Sequence, residues 1–323
     1  MKKCLIVGAG QLGSRHLQGL IKNLDQLEIY VLDSSENSIN LAREKEREIS
    51  HVHKVVYTQI WESLPNYFDI AIIATNANVR EKVLINLLQN HKVIFLILEK
   101  VLFQELEAYQ RVHELLVKHN VITYVNHSRR MFESYKNIKS NLDLNNPGVY
   151  SVVGGNWGLG CNALHFLDLF VYLSGKKLKD INVQSVDNIL FESSRIGFVE
   201  FTGTIIGHLS DNSSFSITSL QGDSSSITVT IFNNEQRFII QEGGTPQIFK
   251  LEKKNSFKCE MELFKVQYQS ELTTNIAFEL LEKGFCLLPT YDESRHTHEL
   301  FLAEMLKKYN MITLLQSSTL PIT

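Results

Sequence analysis

A short apolar run, Cys4–Val7, leads straight into three glycines spaced G-x-G-x-x-G: Gly8, Gly10 and Gly13. Leu17, Leu20, Ile21 and Leu24 follow at the spacing of one helical face. A second strand-like run, LEIYVLD (27–33), ends on Asp33, 20 residues beyond Gly13. Strand, glycine turn, helix, strand and terminal acid in this order describe a parallel βαβ unit that binds a dinucleotide. Gly8 allows the tight turn, Gly10 lets backbone approach a pyrophosphate, and Gly13 lets helix and strand pack closely. The first helical residues, Gln11 and Leu12, complete the phosphate side, where free N–H groups and the helix dipole favour an anion. Asp33 is placed to accept hydrogen bonds from the adenosine ribose. Its carboxylate repels a 2′-phosphate, and Ser34-Ser35 offer no arginine to hold one, so NAD is expected rather than NADP.

The same rhythm continues. Strands are expected over 51–57, 69–75, 92–100 and 121–130. Helices are expected over 79–90 and 104–120, the latter with Leu106, Tyr109, Val112 and Leu116 on one face. Alternating strands and helices give a doubly wound parallel sheet. Ligands of such sheets collect at the carboxyl ends of the strands, which here carry Thr75, Asn76, Glu99, Lys100 and Asn126 besides the glycines and Asp33. Beyond residue 145 the pattern changes. The segments 185–192, 196–206, 214–221, 226–233 and 236–242 read as strands separated by turns. Near the end, Thr290 and Glu293 have capping-box spacing, and His298, Phe301, Leu302, Met305 and Leu306 form a helical stripe suited to core packing.

Two domains fit the length of 323 residues, and 44% hydrophobic residues can give each a core. The net charge of −3 provides no drive towards nucleic acid or an anionic membrane. The apolar run VIFLIL (93–98) is strand-sized, not membrane-spanning. Cys4, Cys161, Cys259 and Cys286 are scattered without a C-x-x-C pair. That pattern points to a reducing, cytoplasmic setting and to no structural zinc. The pairs His51/His53 and His296/His298 have no acid or cysteine cluster beside them, so no metal site is expected.

Five segments in order resemble the Gfo/Idh/MocA oxidoreductases, a family that includes glucose–fructose oxidoreductase and inositol dehydrogenase. GAGQLGSRHLQGL resembles the opening fingerprint, with Arg15 and His16 after the third glycine. IIATNANVREKVL is similar to the Ala-Thr-Pro segment, with Asn76 where proline is common. LILEKVLFQ resembles Glu-Lys-Pro, with Val101 in place of proline. YVNHSRRMFESYKNIK resembles the Arg-Arg crossover, and CNALHFLDL the Asp-x-x-x-His-x-x-Asp motif. The resemblance implies an N-terminal Rossmann domain (1–125) and a C-terminal α+β domain on an open, mainly antiparallel sheet (126–323) for substrate binding and oligomerisation. A helix at 291–308 is expected to pack back on the first domain.

The implied chemistry is hydride transfer between a nicotinamide and a hydroxyl or keto carbon of a sugar, nucleotide sugar or cyclitol. The implied proton-handling residues are Lys100 and His165. A helix over 162–173 places Cys161, His165, Asp168 and Tyr172 on one face. Asp168 is a candidate orienting residue, Trp157 a candidate wall for a sugar ring, and Arg129 a candidate anchor for a substrate carboxylate or phosphate. Packing and internal ion pairs are the plainer roles for these side chains, and for Arg130. Two departures bear on catalysis. Val101 frees the backbone beside Lys100, and Cys161 replaces the acid that would orient and charge His165. A homodimer or homotetramer is implied. Two alternatives stay open on the same fold: a non-catalytic NAD-binding regulator, and an NAD-requiring glycosidase.

Overall fold

The computed structural model describes residues 1–22 and 26–323. Leu24, placed on the first helical face by its spacing, lies outside the described residues. The first half contains β1 (Lys2–Val7), α1 (Gln11–Leu20), β2 (Leu27–Leu32), α2 (Glu36–Arg47), β3 (Lys54–Thr58), β4 (Tyr67–Ile73), α3 (Ala77–Asn90), β5 (Lys92–Leu98), α4 (Leu106–His119) and β6 (Ile122–Val125). After it come α5 (Glu133–Asn141), β7 (Val149–Gly155), α6 (Leu159–Ser174), β8 (Leu178–Asn182), β9 (Phe191–Glu192), β10 (Val199–Glu200), β11 (Gly203–Leu209) and β12 (Ser214–Leu220). The chain then forms β13 (Thr228–Phe232), β14 (Gln236–Gln241), β15 (Gln247–Glu252), β16 (Cys259–Leu263), α7 (Gln269–Lys283) and α8 (Tyr291–Thr313).

The chain separates into two compact units. The first comprises Met1–Phe103, Glu107–Ser128 and Gln267–Ser294; the second comprises Gln104–Leu106, Arg129–Val266 and Arg295–Thr323. The first is built on a six-stranded sheet in the order β3-β2-β1-β4-β5-β6, parallel throughout. Its central strands are almost continuously apolar. Leu5, Ile6, Ile29, Val31 and Ile70 through Ile73 are fully buried, because helices cover both faces of a parallel sheet. The order reverses direction between β1 and β4, which opens a crevice at the carboxyl edge of the sheet.

The single cut expected after residue 125 differs from this division, and the reason is α7, a helix not expected from the sequence. It packs on α1 through small residues. A Cβ on Gly19 would lie 2.5 Å from the Thr273 Cβ, and Thr274 Oγ1 donates to the Gly19 carbonyl at 2.8 Å. All of α7 joins the first unit, whereas the helix expected over 291–308 is divided, with only Tyr291–Ser294 in that unit. From Arg295 onward α8 belongs to the second unit, where His298, Phe301, Leu302 and Met305 are fully buried. The capping box holds: the Thr290 N–H donates to Glu293 Oε2 at 2.7 Å and the Glu293 N–H to Thr290 Oγ1 at 3.3 Å.

The second unit is built on an eight-stranded sheet, β16-β15-β14-β13-β7-β12-β11-β8, antiparallel except between β7 and β12. One face is core, with Tyr150, Val152, Phe215, Ile217, Val229, Ile231, Phe238 and Ile240 buried. The alternate residues Val149, Val153 and Ile206 are exposed on the other face. Strands β7, β8, β15 and β16 are additions to the expected set. The run expected over 196–206 divides into β10 and β11 at Gly203. There φ is +99°, and a Cβ would meet the Ser185 carbonyl oxygen at 2.5 Å.

Candidate functional site

Each central strand of the first unit delivers its next residue to the crevice edge. Gly8, after β1, donates to the Leu32 carbonyl at 2.9 Å. Its φ is +97°, and a Cβ there would lie 2.9 Å from the Ala74 carbonyl carbon, so the turn requires glycine. A Cβ on Gly13 would sit 1.7 Å from the Gly8 carbonyl oxygen, so α1 reaches this position only without one. Gly10 differs: nothing lies within 4 Å of where its Cβ would be. Gly10 is the N-cap of α1, with no side-chain cap and no acid in the first turn. The first-turn N–H groups of Gln11, Leu12 and Gly13 have no intrahelical acceptors, and the space in front of them suits a pyrophosphate.

Asp33 follows β2. Its Oδ2 accepts from the Ala9 N–H at 2.7 Å and its Oδ1 from the Ser35 N–H at 2.8 Å. The carboxylate is thereby fixed beside the glycine loop, and each oxygen retains acceptor capacity for ribose hydroxyls. Beyond β4 and β6, Thr75 Oγ1 and Asn126 Oδ1 are buried without a hydrogen-bond partner among the described residues. Buried polar atoms are nearly always paired, so two unpaired ones at the strand ends fit a bound nucleotide. Asn76 is exposed at the N-cap of α3 and makes no side-chain cap.

Glu99 and Lys100 follow β5. Glu99 is buried, and its Oε1 lies 2.8 Å from His16 Nε2 and 2.5 Å from Asn126 Nδ2. Burial alone would raise its pKa, but the hydrogen bonds from His16 and Asn126 and the nearby positive charge, including Lys100, outweigh it. The carboxyl is held below its ordinary value. Lys100 is half-buried, and the Lys100–Val101 peptide is cis. The loop is held by Arg80, whose guanidinium donates to the carbonyls of Thr75, Val101 and Leu102. Arg80 escaped the sequence reading, although a signal existed. It interrupts the buried stripe Ala77, Leu84, Leu87 on α3, and a cation on an apolar face must have polar partners in the interior.

In the second unit, α6 starts after Gly158 (φ +79°) and ends at Gly175 (φ +69°). Cys161 and Asp168 are buried on it and His165 is half-buried. The Gly160 N–H donates to Glu200 Oε2 at 2.8 Å, so a carboxylate not singled out in the sequence caps the helix. The candidate supporting residues are largely engaged inside their own unit. Asp168 forms a two-pronged pair with Arg130, Nε to Oδ2 and Nη2 to Oδ1, both 2.7 Å. Arg129, a candidate substrate anchor, is committed instead to Glu242 at 2.7–3.1 Å and lies 4.1 Å above the Phe166 ring. Tyr135 also donates to Glu242 at 2.6 Å. Burial, with the Glu242 charge adding, pushes its hydroxyl pKa well up. Desolvation dictates these pairings, since a buried charge without a partner is costly. Trp157 donates its indole N–H to the Thr218 carbonyl at 2.9 Å and packs edge-on to Phe166 at 5.3 Å.

Residues 2–127 match the family model described as "Oxidoreductase family, NAD-binding Rossmann fold", GFO_IDH_MocA. Over this stretch the chain is similar to the Gfo/Idh/MocA oxidoreductases. No curated protein matches the chain in sequence. Solved structures share the fold. An oxidoreductase from Agrobacterium radiobacter, in complex with NAD+, L-tartaric acid and magnesium, has a TM-score of 0.74 at 13% identity over 96% of this chain and 97% of its own. UDP-N-acetylglucosamine 3-dehydrogenase GnnA from Acidithiobacillus ferrooxidans has 0.72 at 12%, over 94% and 96%. The transcriptional regulator Gal80p from Kluyveromyces lactis has 0.71 at 15%, over 96% and 92%. Solved oxidoreductases and a transcriptional regulator thus share this architecture. Among the described residues, no helix is long and apolar enough to cross a membrane.

Proposed function

We propose that the chain is an NAD-dependent oxidoreductase moving a hydride between a nicotinamide and a hydroxyl or keto carbon of a sugar, nucleotide sugar or cyclitol. The observation that carries this reading is Asp33, fixed beside the glycine loop by the Ala9 N–H and followed by two serines. A carboxylate there favours ribose hydroxyls and disfavours a 2′-phosphate. The likeness to UDP-N-acetylglucosamine 3-dehydrogenase supports the sugar class.

When bound, the cofactor supplies the hydride acceptor or donor at C4 of its nicotinamide. The chain's own residues bind it and move a proton. The α1 N-terminus holds phosphate, Asp33 holds ribose, and Thr75, Asn76, Glu99 and Asn126 line the strand ends. In the oxidative direction the substrate hydroxyl loses its proton to a neutral Lys100 amine or to His165 as hydride leaves carbon. In reduction the Lys100 ammonium hydrogen-bonds the carbonyl oxygen and returns the proton. The exposed Val149, Val153 and Ile206 on the outer face of the eight-stranded sheet support a homodimer or homotetramer, and the scattered cysteines without a C-x-x-C pair support a cytoplasmic setting.

A second reading, an NAD-binding regulator without turnover, is favoured by Cys161 in place of an acid and by the likeness to Gal80p. Titration with NADH and NADPH, followed by nicotinamide fluorescence, tests the first step. NADH should bind at least about tenfold more tightly, a difference of about 1.4 kcal/mol; NADPH preference would overturn the Asp33 assignment. A sugar, nucleotide-sugar and cyclitol panel then separates enzyme from regulator. Cleavage of a glycoside without net NADH would move the reading to a glycosidase.

A further inference from the structure

The crevice edge contains a chain of side chains whose orientations are mutually determined. Asn126, 2% exposed, directs Nδ2 to Glu99 Oε1 at 2.5 Å and to Gln269 Oε1 at 3.0 Å. An ionised carboxylate only accepts, so the amide nitrogen must face Glu99 and Oδ1 must face away. That Oδ1 is the atom left without a partner among the described residues. Gln269 is oriented in turn, because its Nε2 donates to Thr273 Oγ1 at 3.1 Å, leaving Oε1 to accept from Asn126. Thr273, 1% exposed, anchors the end of the chain. Its hydroxyl donates to the Gln269 carbonyl at 2.8 Å and lies 2.8 Å from His16 Nδ1, whose other nitrogen holds Glu99.

The sheet order puts Asp33 on one side of β1 and Glu99, Lys100 and Asn126 on the other. A dinucleotide with its ribose at Asp33 and its pyrophosphate at the glycine loop carries its nicotinamide towards β4, β5 and β6. The N–H donor on that end is the carboxamide. Resting on the functional reading above, we infer that Gln269 and Thr273 of α7 are positioning residues that hold Asn126 Oδ1 as a standing acceptor for the nicotinamide carboxamide NH2. Neither touches the cofactor; they act through Asn126.

The test compares binding of NAD+ with binding of 3-acetylpyridine adenine dinucleotide, whose methyl ketone replaces the carboxamide and has no N–H. Calorimetric titration supplies the affinities, and thermal melting monitors the fold. The wild type should bind NAD+ about tenfold more tightly than the analogue, because the analogue leaves a buried acceptor unpaired. Gln269→Leu and Thr273→Val should bring the ratio to within about twofold, and Thr273→Ser should keep it. Gln269 is half-exposed at the start of α7, so Gln269→Leu decides the matter if Thr273→Val does not fold. An unchanged ratio in folded variants, or equal loss of affinity for both dinucleotides, overturns the inference. So does a wild-type ratio near one, while NAD+ binding itself leaves the functional reading standing. Wild-type protein that binds neither dinucleotide overturns both.

Discussion

The crevice edge of the first unit and the α6 region of the second hold polar side chains in opposite ways. Around α6, Arg130 closes on Asp168 and Arg129 on Glu242, and Trp157 on a carbonyl. At the crevice edge, Gly10 faces open space, and Thr75 Oγ1 and Asn126 Oδ1 lack partners among the described residues. The first pattern stabilises a fold. The second keeps binding capacity in reserve for a ligand. Residue type alone does not distinguish them: an arginine near a motif reads as a substrate anchor until its carboxylate partner is seen.

Substitutions can break this contrast. The largest effect is expected for Asp168→Ala, which strips a buried arginine of its partner and should cost about 3–5 kcal/mol of stability in denaturant unfolding. A loss below about 1 kcal/mol would return Asp168 to the substrate-facing set. Lys100→Ala should fold normally and keep NADH affinity within about twofold, while turnover falls about 10²–10⁴-fold; unchanged turnover removes Lys100 from the proton-handling step. Gly10→Ala sharpens the comparison. Its Cβ meets nothing in the protein, so unfolding free energy should stay within about 1 kcal/mol, while NADH affinity drops at least about tenfold. Equal losses in folding and binding would show that Gly10 serves the turn alone.

The smallest effect concerns pH. The Glu99 carboxyl is held below its ordinary 4.5 in the folded chain. Its ionised form therefore adds stability that is complete above about 4.5 and fades as pH falls below that value. The stability advantage of wild type over Glu99→Gln should be flat from pH 7 to about pH 5 and shrink at lower pH. An advantage that grows on acidification contradicts the His16–Glu99–Asn126 arrangement.

The first half was legible because local rules decide it. A positive φ at Gly8 and a 1.7 Å clash at Gly13 are backbone requirements, and they appear as glycines at fixed spacing. The stripe from His298 to Met305 was legible because helical period reports burial. The role of α7 was not. Gly19, Thr273 and Gln269 are ordinary residues until distant segments meet: His16 and Thr273 are 257 positions apart and Asn126 and Gln269 are 143 apart. Arg80 left a signal in its apolar stripe, but its acceptors are carbonyls, which have no sequence signature.

The sequence by itself determined the βαβ unit, the strand-end positions of Asp33, Glu99, Lys100 and Asn126, and the change of pattern after residue 145. These follow from steric limits on the backbone and the periodicity of apolar residues, both of which act over a few residues. Only the tertiary structure decided that α7 joins the first unit, that Arg129 and Arg130 are neutralised within the second, and which buried polar atoms remain unpaired. Hydrogen-bond satisfaction is a property of the packed interior, because each donor can be matched only once the surrounding chain has excluded water.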